Sequence, residues 1–279
     1  MTGIVIDMDP VIVEIGMFQL RWFAVLTILA AGIAWWVGLR EARHRGFPMD
    51  RVEGALPWIF LGALVGARLF HVVDRPEAYV ERPIEVLAVW NGGLAAWGGI
   101  VGGLAAGLLY FRRTGLDLRA VLDAAAPAMI LGQGLGRLAC IPNGDAYGAP
   151  AYVPWAFVYT SPTAMVPRDL LGVPLHPYPV YELLFDLALF GVLWRLRKAP
   201  RFAATPGLLF VAYLGAYSVG RFFLTSTRLE KVWFLGLQEA QVISIAGLAV
   251  AVALLVILRR RPGDAVGRKL RAGAGVGGR

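Results

Sequence analysis

Apolar residues fall into long runs along the chain, and this pattern predicts membrane-spanning helices. A helix needs about 20 apolar residues to cross the hydrocarbon core of a bilayer. Only helices or closed barrels satisfy their backbone hydrogen bonds there, and runs of this length indicate helices. Seven runs approach this length, at residues 22–39, 55–73, 92–111, 120–141, 179–194, 206–224 and 241–258. The pattern therefore predicts an all-α integral membrane protein with about seven transmembrane helices.

Charged residues are scarce, and their positions predict the orientation of the helices. They make up 16% of the 279 residues, whereas soluble domains carry about 25%. If the spans alternate in direction, 18 of the 27 lysines and arginines fall on one side and six on the other. Because cytoplasmic loops carry the positive excess, we expect the N-terminus outside and the C-terminus in the cytoplasm. The net charge of +8 then reflects topology, and no nucleic acid partner is expected.

The runs also suggest how the chain is divided. Residues 1–258 are predicted to form a single transmembrane domain, with one long external connection at about 142–178. A connection of that length is usually functional or disordered. Residues 259–279 are rich in arginine and glycine and are predicted to form a basic, disordered cytoplasmic tail.

Three arginines interrupt the apolar runs at a similar depth. Arg68, Arg137 and Arg221 each fall in the outer third of a run that travels outward. An arginine in mid-membrane costs about 2.5–3.5 kcal/mol on insertion scales. Arg221 alone is explained equally well by a side chain that reaches the headgroups. The three together favour a shared anion, and the guanidinium group suits the phosphate of an outer-leaflet phospholipid.

Four motifs then make the chain resemble a known family. They read WNGGLAAWGG at 90–99, GRLACIPNGDAYG at 136–148, HPYPVYE at 176–182 and GRFF at 220–223. In order and spacing they are similar to the landmarks of prolipoprotein diacylglyceryl transferases, over nearly the whole chain. At the end of the first motif and just after it, Gly98, Gly99, Gly102 and Gly103 have three- and four-residue spacing, which predicts close helix packing.

The resemblance implies a seven-helix enzyme of the bacterial plasma membrane whose active site faces the outer leaflet. It also implies the reaction. The diacylglyceryl group of phosphatidylglycerol moves to the thiol of a prolipoprotein lipobox cysteine, and glycerol 1-phosphate is released. The implied partners are phosphatidylglycerol, lipobox peptides and membrane lipids. The resemblance implies no cofactor and no metal.

Residue roles follow from the positions that match the family's motifs. By resemblance, Arg137 binds the phosphatidylglycerol headgroup and Arg221 stabilises charge on the departing phosphate. Asn143, Asp145 and Gly148 fall on the polar lining of the signature segment. The depth argument adds Arg68 to this phosphatidylglycerol-binding set.

The chain departs from the family pattern at three positions. Trp97 stands where many members have histidine, and it is placed with the phosphatidylglycerol-binding residues. Phe23 replaces a tyrosine and Thr225 replaces a glutamate. With no histidine at position 97, the base that takes the thiol proton is unassigned. His176 is a candidate, although the sequence favours a role in anchoring the external loop. Glu182 is expected to orient that loop or an arginine.

Other functions remain open at this stage. A phosphatase or phosphotransferase would show a His/Asp nucleophile or an acidic metal-binding cluster, and neither pattern is found in the sequence. A transporter would show duplicated halves and broken helices near mid-membrane. A catalytically weak or non-catalytic phospholipid-binding relative is kept as the alternative, because of Phe23 and Thr225.

Overall fold

The structure is a computed structural model that describes residues 3–16, 18–80, 83–88 and 92–260. Each of the seven predicted runs overlaps one long helix. These are α1 (Trp22–His44), α3 (Ala55–Asp74), α5 (Ala96–Arg113), α6 (Leu118–Asn143), α7 (Tyr178–Leu196), α9 (Leu208–Thr225) and α10 (Glu239–Arg260). Short helices α2 (Met49–Glu53), α4 (Glu77–Val80) and α8 (Pro200–Ala204) lie between them. The predicted tail beyond Arg260 lies outside the described residues.

Five of the helices in the described ranges are long and apolar enough to cross a membrane by length and composition. They are α1, α3 together with α2, α6, α9 and α10. Large apolar side chains on their outer surfaces are exposed, among them Ile28, Phe60 and Phe223. Contiguous apolar surface of this kind is rare on soluble proteins. The protein is therefore a helical integral membrane protein.

The third helix begins later than the hydropathy pattern predicts. The apolar run starts at Gly92, but α5 starts at Ala96. Gly92 and Gly93 have φ angles of 83° and 71°, a left-handed conformation that favours glycine and does not fit a right-handed helix. The chain therefore turns at these glycines before it enters α5.

The described chain divides into two compact units, Met1–Val37 with Ala125–Arg279, and Gly38–Ala124. In the second unit, α3 and α5 pack through glycines. A Cβ atom added at Gly66 would lie 2.8 Å from the Cα atom of Gly102, and one added at Gly98 would collide with the backbone of Gly66. The close packing predicted for the glycine-rich helix is confirmed, because small residues allow two helix backbones to approach.

In the first unit, α6, α7 and α9 share a buried core. Its residues come from all three helices: Ala126, Ile130, Leu189, Leu193, Leu209 and Tyr213. Helix α10 packs beside α9. This core fixes the three helices that carry the arginines and the glutamate of the candidate site.

The long connection between α6 and α7 folds into small elements that hydropathy did not predict. Strands β1 (Ile4–Ile6), β4 (Phe157–Tyr159) and β5 (Pro174–Leu175) form one sheet, in which β1 and β4 are parallel. Buried side chains of the connection, among them Tyr159, Val166 and Leu175, form a second core. Hairpins β2 (Val11–Ile15) with β3 (Phe18–Arg21), and β6 (Val232–Phe234) with β7 (Leu237–Gln238), complete the strands described.

Candidate active site

A buried glutamate lies at the centre of the candidate site. Glu182, in the first turns of α7, is fully buried. Its two carboxylate oxygens each accept from Arg137 on α6, with Nε–Oε2 and Nη2–Oε1 distances of 2.9 Å. Two parallel contacts of this kind hold a guanidinium group in one plane.

A second arginine binds the same carboxylate. Arg221 Nη1, on α9, donates to Glu182 Oε2 at 2.6 Å and also donates to the Tyr178 hydroxyl. The Tyr217 hydroxyl donates to Glu182 Oε1 at 3.3 Å. Glu182 therefore holds Arg137 and Arg221 together, and the two arginine side chains remain 24% and 16% exposed.

The ends of the helices explain why these groups meet. Arg137 and Arg221 lie six and four residues before the C-terminal ends of α6 and α9, and Glu182 lies four residues after the N-terminal end of α7. At 1.5 Å per residue, all three lie about 6–9 Å from their helix ends. Antiparallel packing of α7 against the other two helices therefore brings the three side chains to one depth.

Glycines that precede the two arginines in sequence are used for helix packing. A Cβ atom at Gly134 would lie 2.8 Å from the Cβ atom of Asp186, and one at Gly220 would collide with the ring of Phe185. The sequence left open whether small residues before Arg137 make room for a ligand or for a neighbouring helix. At Gly134 the structure supports helix packing.

Asp186 lies one turn from Glu182 on the same helix. Its side chain is fully buried, and neither carboxylate oxygen has a hydrogen-bond partner among the described residues. The sequence analysis did not name Asp186 as a site residue. The available signal was a carboxyl group inside an apolar run, which is costly in a membrane and is usually retained for a reason.

Further unpaired polar atoms lie in the signature segment, where α6 ends, and in β4. Asn143 Oδ1, Asp145 Oδ1 and the Tyr159 hydroxyl are buried without partners in the described part of the chain. Asp145 Oδ2 lies 3.8 Å from the sulfur of Cys140, and Asn143 Nδ2 lies 3.3 Å from the sulfur of Met165. Burial, reinforced by Asp145, raises the pKa of the Tyr159 hydroxyl, which therefore stays protonated.

Gly148 has a structural position in this segment. Its N–H donates to the His176 carbonyl at 3.1 Å. A Cβ atom at Gly148 would lie 2.6 Å from that carbonyl oxygen and 2.8 Å from the carbonyl oxygen of Thr227. Only glycine fits at this meeting of three chain segments.

His176 is bound at the start of α7. Its Nδ1 atom lies 3.1 Å from the Tyr181 hydroxyl, which accepts from Trp155 Nε1 at 2.7 Å. The His176 N–H donates to the Ala149 carbonyl at 2.9 Å. These contacts fit the loop-anchoring role that the sequence left open beside catalysis.

Arg68 and Trp97 belong to the second unit. Arg68 is buried, and its guanidinium group donates to backbone carbonyl groups before α5, those of Glu85, Val86, Ala88, Gly92 and Gly93. The N–H groups of Arg68 therefore donate to the protein's own backbone. Trp97 lies in the first turn of α5 and is 52% exposed. The lipid-binding roles predicted for both residues stay predictions.

The two remaining departures from the family pattern have different settings. Thr225 is fully buried, and its hydroxyl donates to the Arg221 carbonyl at 2.7 Å. It therefore closes the last turn of the helix that carries Arg221. Phe23 lies at the start of α1 and is 37% exposed.

The fold and the site define a class, a helical membrane protein with two arginines held by one buried carboxylate. The sequence model of the family described as prolipoprotein diacylglyceryl transferase matches residues 10–257. The chain belongs to this family.

Three of its relatives are named phosphatidylglycerol–prolipoprotein diacylglyceryl transferase. The protein of Gloeobacter violaceus is 35% identical over 258 residues, covering 90% of this chain and 93% of the relative. The protein of Nostoc sp. is 33% identical over 261 residues, covering 91% of each. The protein of Bacillus cereus is 32% identical over 264 residues, covering 94% and 96%.

Proposed function

We propose that the protein transfers the diacylglyceryl group of phosphatidylglycerol to the lipobox cysteine thiol of a prolipoprotein. The bond between the glycerol carbon and its phosphate oxygen breaks, and a carbon–sulfur bond forms. The electron pair of the broken bond stays on the phosphate, which leaves as glycerol 1-phosphate. Membership of the family supports the reaction, and the shared ion pairs of Glu182 support the site.

The charges around Glu182 suit a phosphodiester. Two guanidinium groups and one carboxylate leave one positive charge in this cluster, and a phosphodiester brings one negative charge. Glu182 uses Nε and Nη2 of Arg137 and Nη1 of Arg221. Both arginine side chains remain partly exposed, so a ligand can reach them. We assign Arg137 to the phosphate of the bound lipid.

We assign Arg221 to the departing phosphate oxygen. Negative charge grows on that oxygen as the carbon–oxygen bond breaks, and a fixed guanidinium group stabilises it most in the transition state. The Tyr178 hydroxyl and Glu182 hold Arg221 in position before substrate binds. Positioning in advance matters because the enzyme then spends no energy on reorganising these groups during the reaction.

The same positive field favours the thiolate form of the incoming cysteine. A free thiol has a pKa of about 8.5, and nearby guanidinium groups lower it. The departing phosphate becomes a monoester, whose second pKa is about 6, and it can take up the thiol proton. This pathway requires no histidine at position 97. The catalytic role predicted for His176 stays a prediction beside the anchoring role.

The membrane arrangement is part of the proposal. We propose seven spans, with α5 and α7 crossing the bilayer beside the five apolar helices, an external N-terminus and a cytoplasmic C-terminus. The excess of lysine and arginine on one side supports this orientation. Arg137, Glu182 and Arg221 then lie near the external ends of their helices, where phosphatidylglycerol of the outer leaflet can reach them.

The reaction can be tested in membranes that contain the protein. Phosphatidylglycerol and a lipobox peptide are added, and the thioether-linked diacylglyceryl peptide is measured by mass spectrometry. The wild-type protein is expected to form the product, and Arg137→Ala is expected to lose at least a hundredfold in rate. Arg168→Ala, at an arginine in the connection between α6 and α7, is the matched control and should keep full activity.

The same assay distinguishes the proposed transferase from a non-catalytic relative. A wild-type protein that binds phosphatidylglycerol but forms no thioether would be a non-catalytic relative, and the proposed reaction would be wrong. Full activity in Arg137→Ala would remove the phosphate role of Arg137 while leaving the reaction itself intact.

A further inference from the structure

A cleft lies between α8, α9 and α10. This cleft has a volume of about 410 Å³, which lies within the range of about 300–1,000 Å³ for small-molecule sites. Among the residues that the structure describes, twelve line the cleft: ten are apolar or glycine, and the other two are Arg201 and Arg259. None of these twelve is acidic.

One face of each long helix forms the apolar walls. On α9 the lining extends from Leu208 to Ala216, and on α10 from Leu248 to Arg259, with spacings of three and four residues. At 1.5 Å per residue, these walls are about 12 and 16 Å long. The result is an apolar cleft along two antiparallel helices.

The two arginines lie at the same end of the cleft. Arg201 is in α8, which precedes α9, and Arg259 is in the last turn of α10. Both are exposed, and neither side chain has a hydrogen bond or an ion pair within the described residues. Arg259 also suits the negative end of the α10 dipole. That effect does not account for Arg201, which belongs to another helix and lines the same cleft.

We propose that this cleft binds an anionic phospholipid of the membrane. One acyl chain lies between α9 and α10, and the phosphate group binds Arg201 and Arg259. Apolar walls with a cationic end match the chemistry of such a lipid, whose apolar chain ends at a negatively charged group. Basic pockets between transmembrane helices bind anionic headgroups in this way.

The proposed lipid site is separate from the site around Glu182. Arg221 lies thirteen residues along α9 from Leu208, which corresponds to about 20 Å. The proposed orientation would place the lipid in the cytoplasmic leaflet, but binding itself does not depend on the transferase reaction. A lipid here would link α9, which carries Arg221, to α10.

Lipid binding can be measured on the purified full-length protein in a neutral detergent. Dioleoyl phosphatidic acid is the probe and dioleoyl phosphatidylcholine is the zwitterionic comparison, with native mass spectrometry and thermal unfolding as readouts. Phosphatidic acid should bind and raise the melting temperature more than phosphatidylcholine does. The double variant R201Q/R259Q should bind phosphatidic acid at least tenfold more weakly.

Two further variants separate this cleft from other causes. Arg260→Gln removes the neighbouring charge that does not line the cleft, and it should behave as the wild type. Arg168→Ala, which removes an exposed charge in the connection between α6 and α7, should also keep the phosphatidic acid effect. Equal losses in R201Q/R259Q and Arg260→Gln would indicate general charge attraction and would overturn the proposal.

The acyl-chain part of the proposal has its own test. Ala216→Phe fills the far end of the cleft while both arginines remain. It should weaken the binding of dioleoyl phosphatidic acid, and unchanged affinity would show that no acyl chain occupies the cleft. A protein that passes these tests but forms no thioether would contradict the proposed function alone.

Discussion

Glu182 binds Arg137 through both carboxylate oxygens, each at 2.9 Å, although the two residues are 45 positions apart in sequence. The same carboxylate binds Arg221 at 2.6 Å. Three helices therefore meet at a single negative charge. This relationship gives Glu182 a larger role than the orienting role expected from its motif.

Removal of the Glu182 carboxylate should destabilise the protein. Glu182→Ala leaves two guanidinium groups facing each other in a buried setting, and loss of one partner from a buried pair costs about 3–5 kcal/mol. We expect a clear fall in the melting temperature in detergent and loss of transferase activity. Arg119→Ala is the control, because its pair with Asp117 joins side chains that are 56% and 48% exposed and is worth about 0–1 kcal/mol. Equal effects of the two substitutions would contradict the central role of Glu182.

Asp186 should respond in the opposite way. Asp186→Asn keeps the size of the side chain and removes no ion pair, because neither oxygen has a partner among the described residues. Since an unpaired buried carboxylate is costly, we expect unchanged or increased stability. Glu182→Gln, the same chemical change one turn earlier, is the matched comparison and should lower the melting temperature. A loss of stability in Asp186→Asn as large as in Glu182→Gln would show that Asp186 has a partner of its own.

Gly148 should not tolerate a side chain. In Gly148→Ala the new methyl group would meet the carbonyl oxygens of His176 and Thr227 at 2.6 and 2.8 Å, and overpacking costs about 1–3 kcal/mol. Chemical or thermal unfolding should show this loss. Gly191→Ala, inside α7, is the control, because no neighbouring atom would lie within 4 Å of the methyl group it adds. That substitution should stabilise the helix by about 0.5–1 kcal/mol.

Arg68 should prove to be a backbone anchor. Arg68→Lys keeps the charge but replaces a planar group with five N–H donors by one ammonium group. The lysine cannot reach all the carbonyl groups that Arg68 binds, so amide hydrogen exchange should accelerate in residues 83–88 and 92–95. Arg75→Lys, just after α3, should leave exchange there unchanged. Exchange that is equally slow in Arg68→Lys would show that charge alone holds this segment.

Hydropathy was sufficient to locate the helices, because each apolar run reflects its own contact with lipid or core. The start of α5 was misplaced because hydropathy does not report φ angles, and Gly92 and Gly93 turn the chain there. The strands of the α6–α7 connection were missed for a related reason. Strand β4 pairs with β1, about 150 residues away in sequence, and short strands of this kind have no lasting periodicity.

The sequence by itself determined the membrane class, the seven helical segments and the similar depth of Arg137 and Arg221, because each depends on local composition and helix length. Tertiary structure alone decided which groups meet. It joined both arginines to Glu182, left Asp186 without a partner among the described residues, and directed Arg68 to backbone carbonyl groups. These pairings depend on how helices that are distant in sequence pack together. The composition and length of a single segment do not determine that packing.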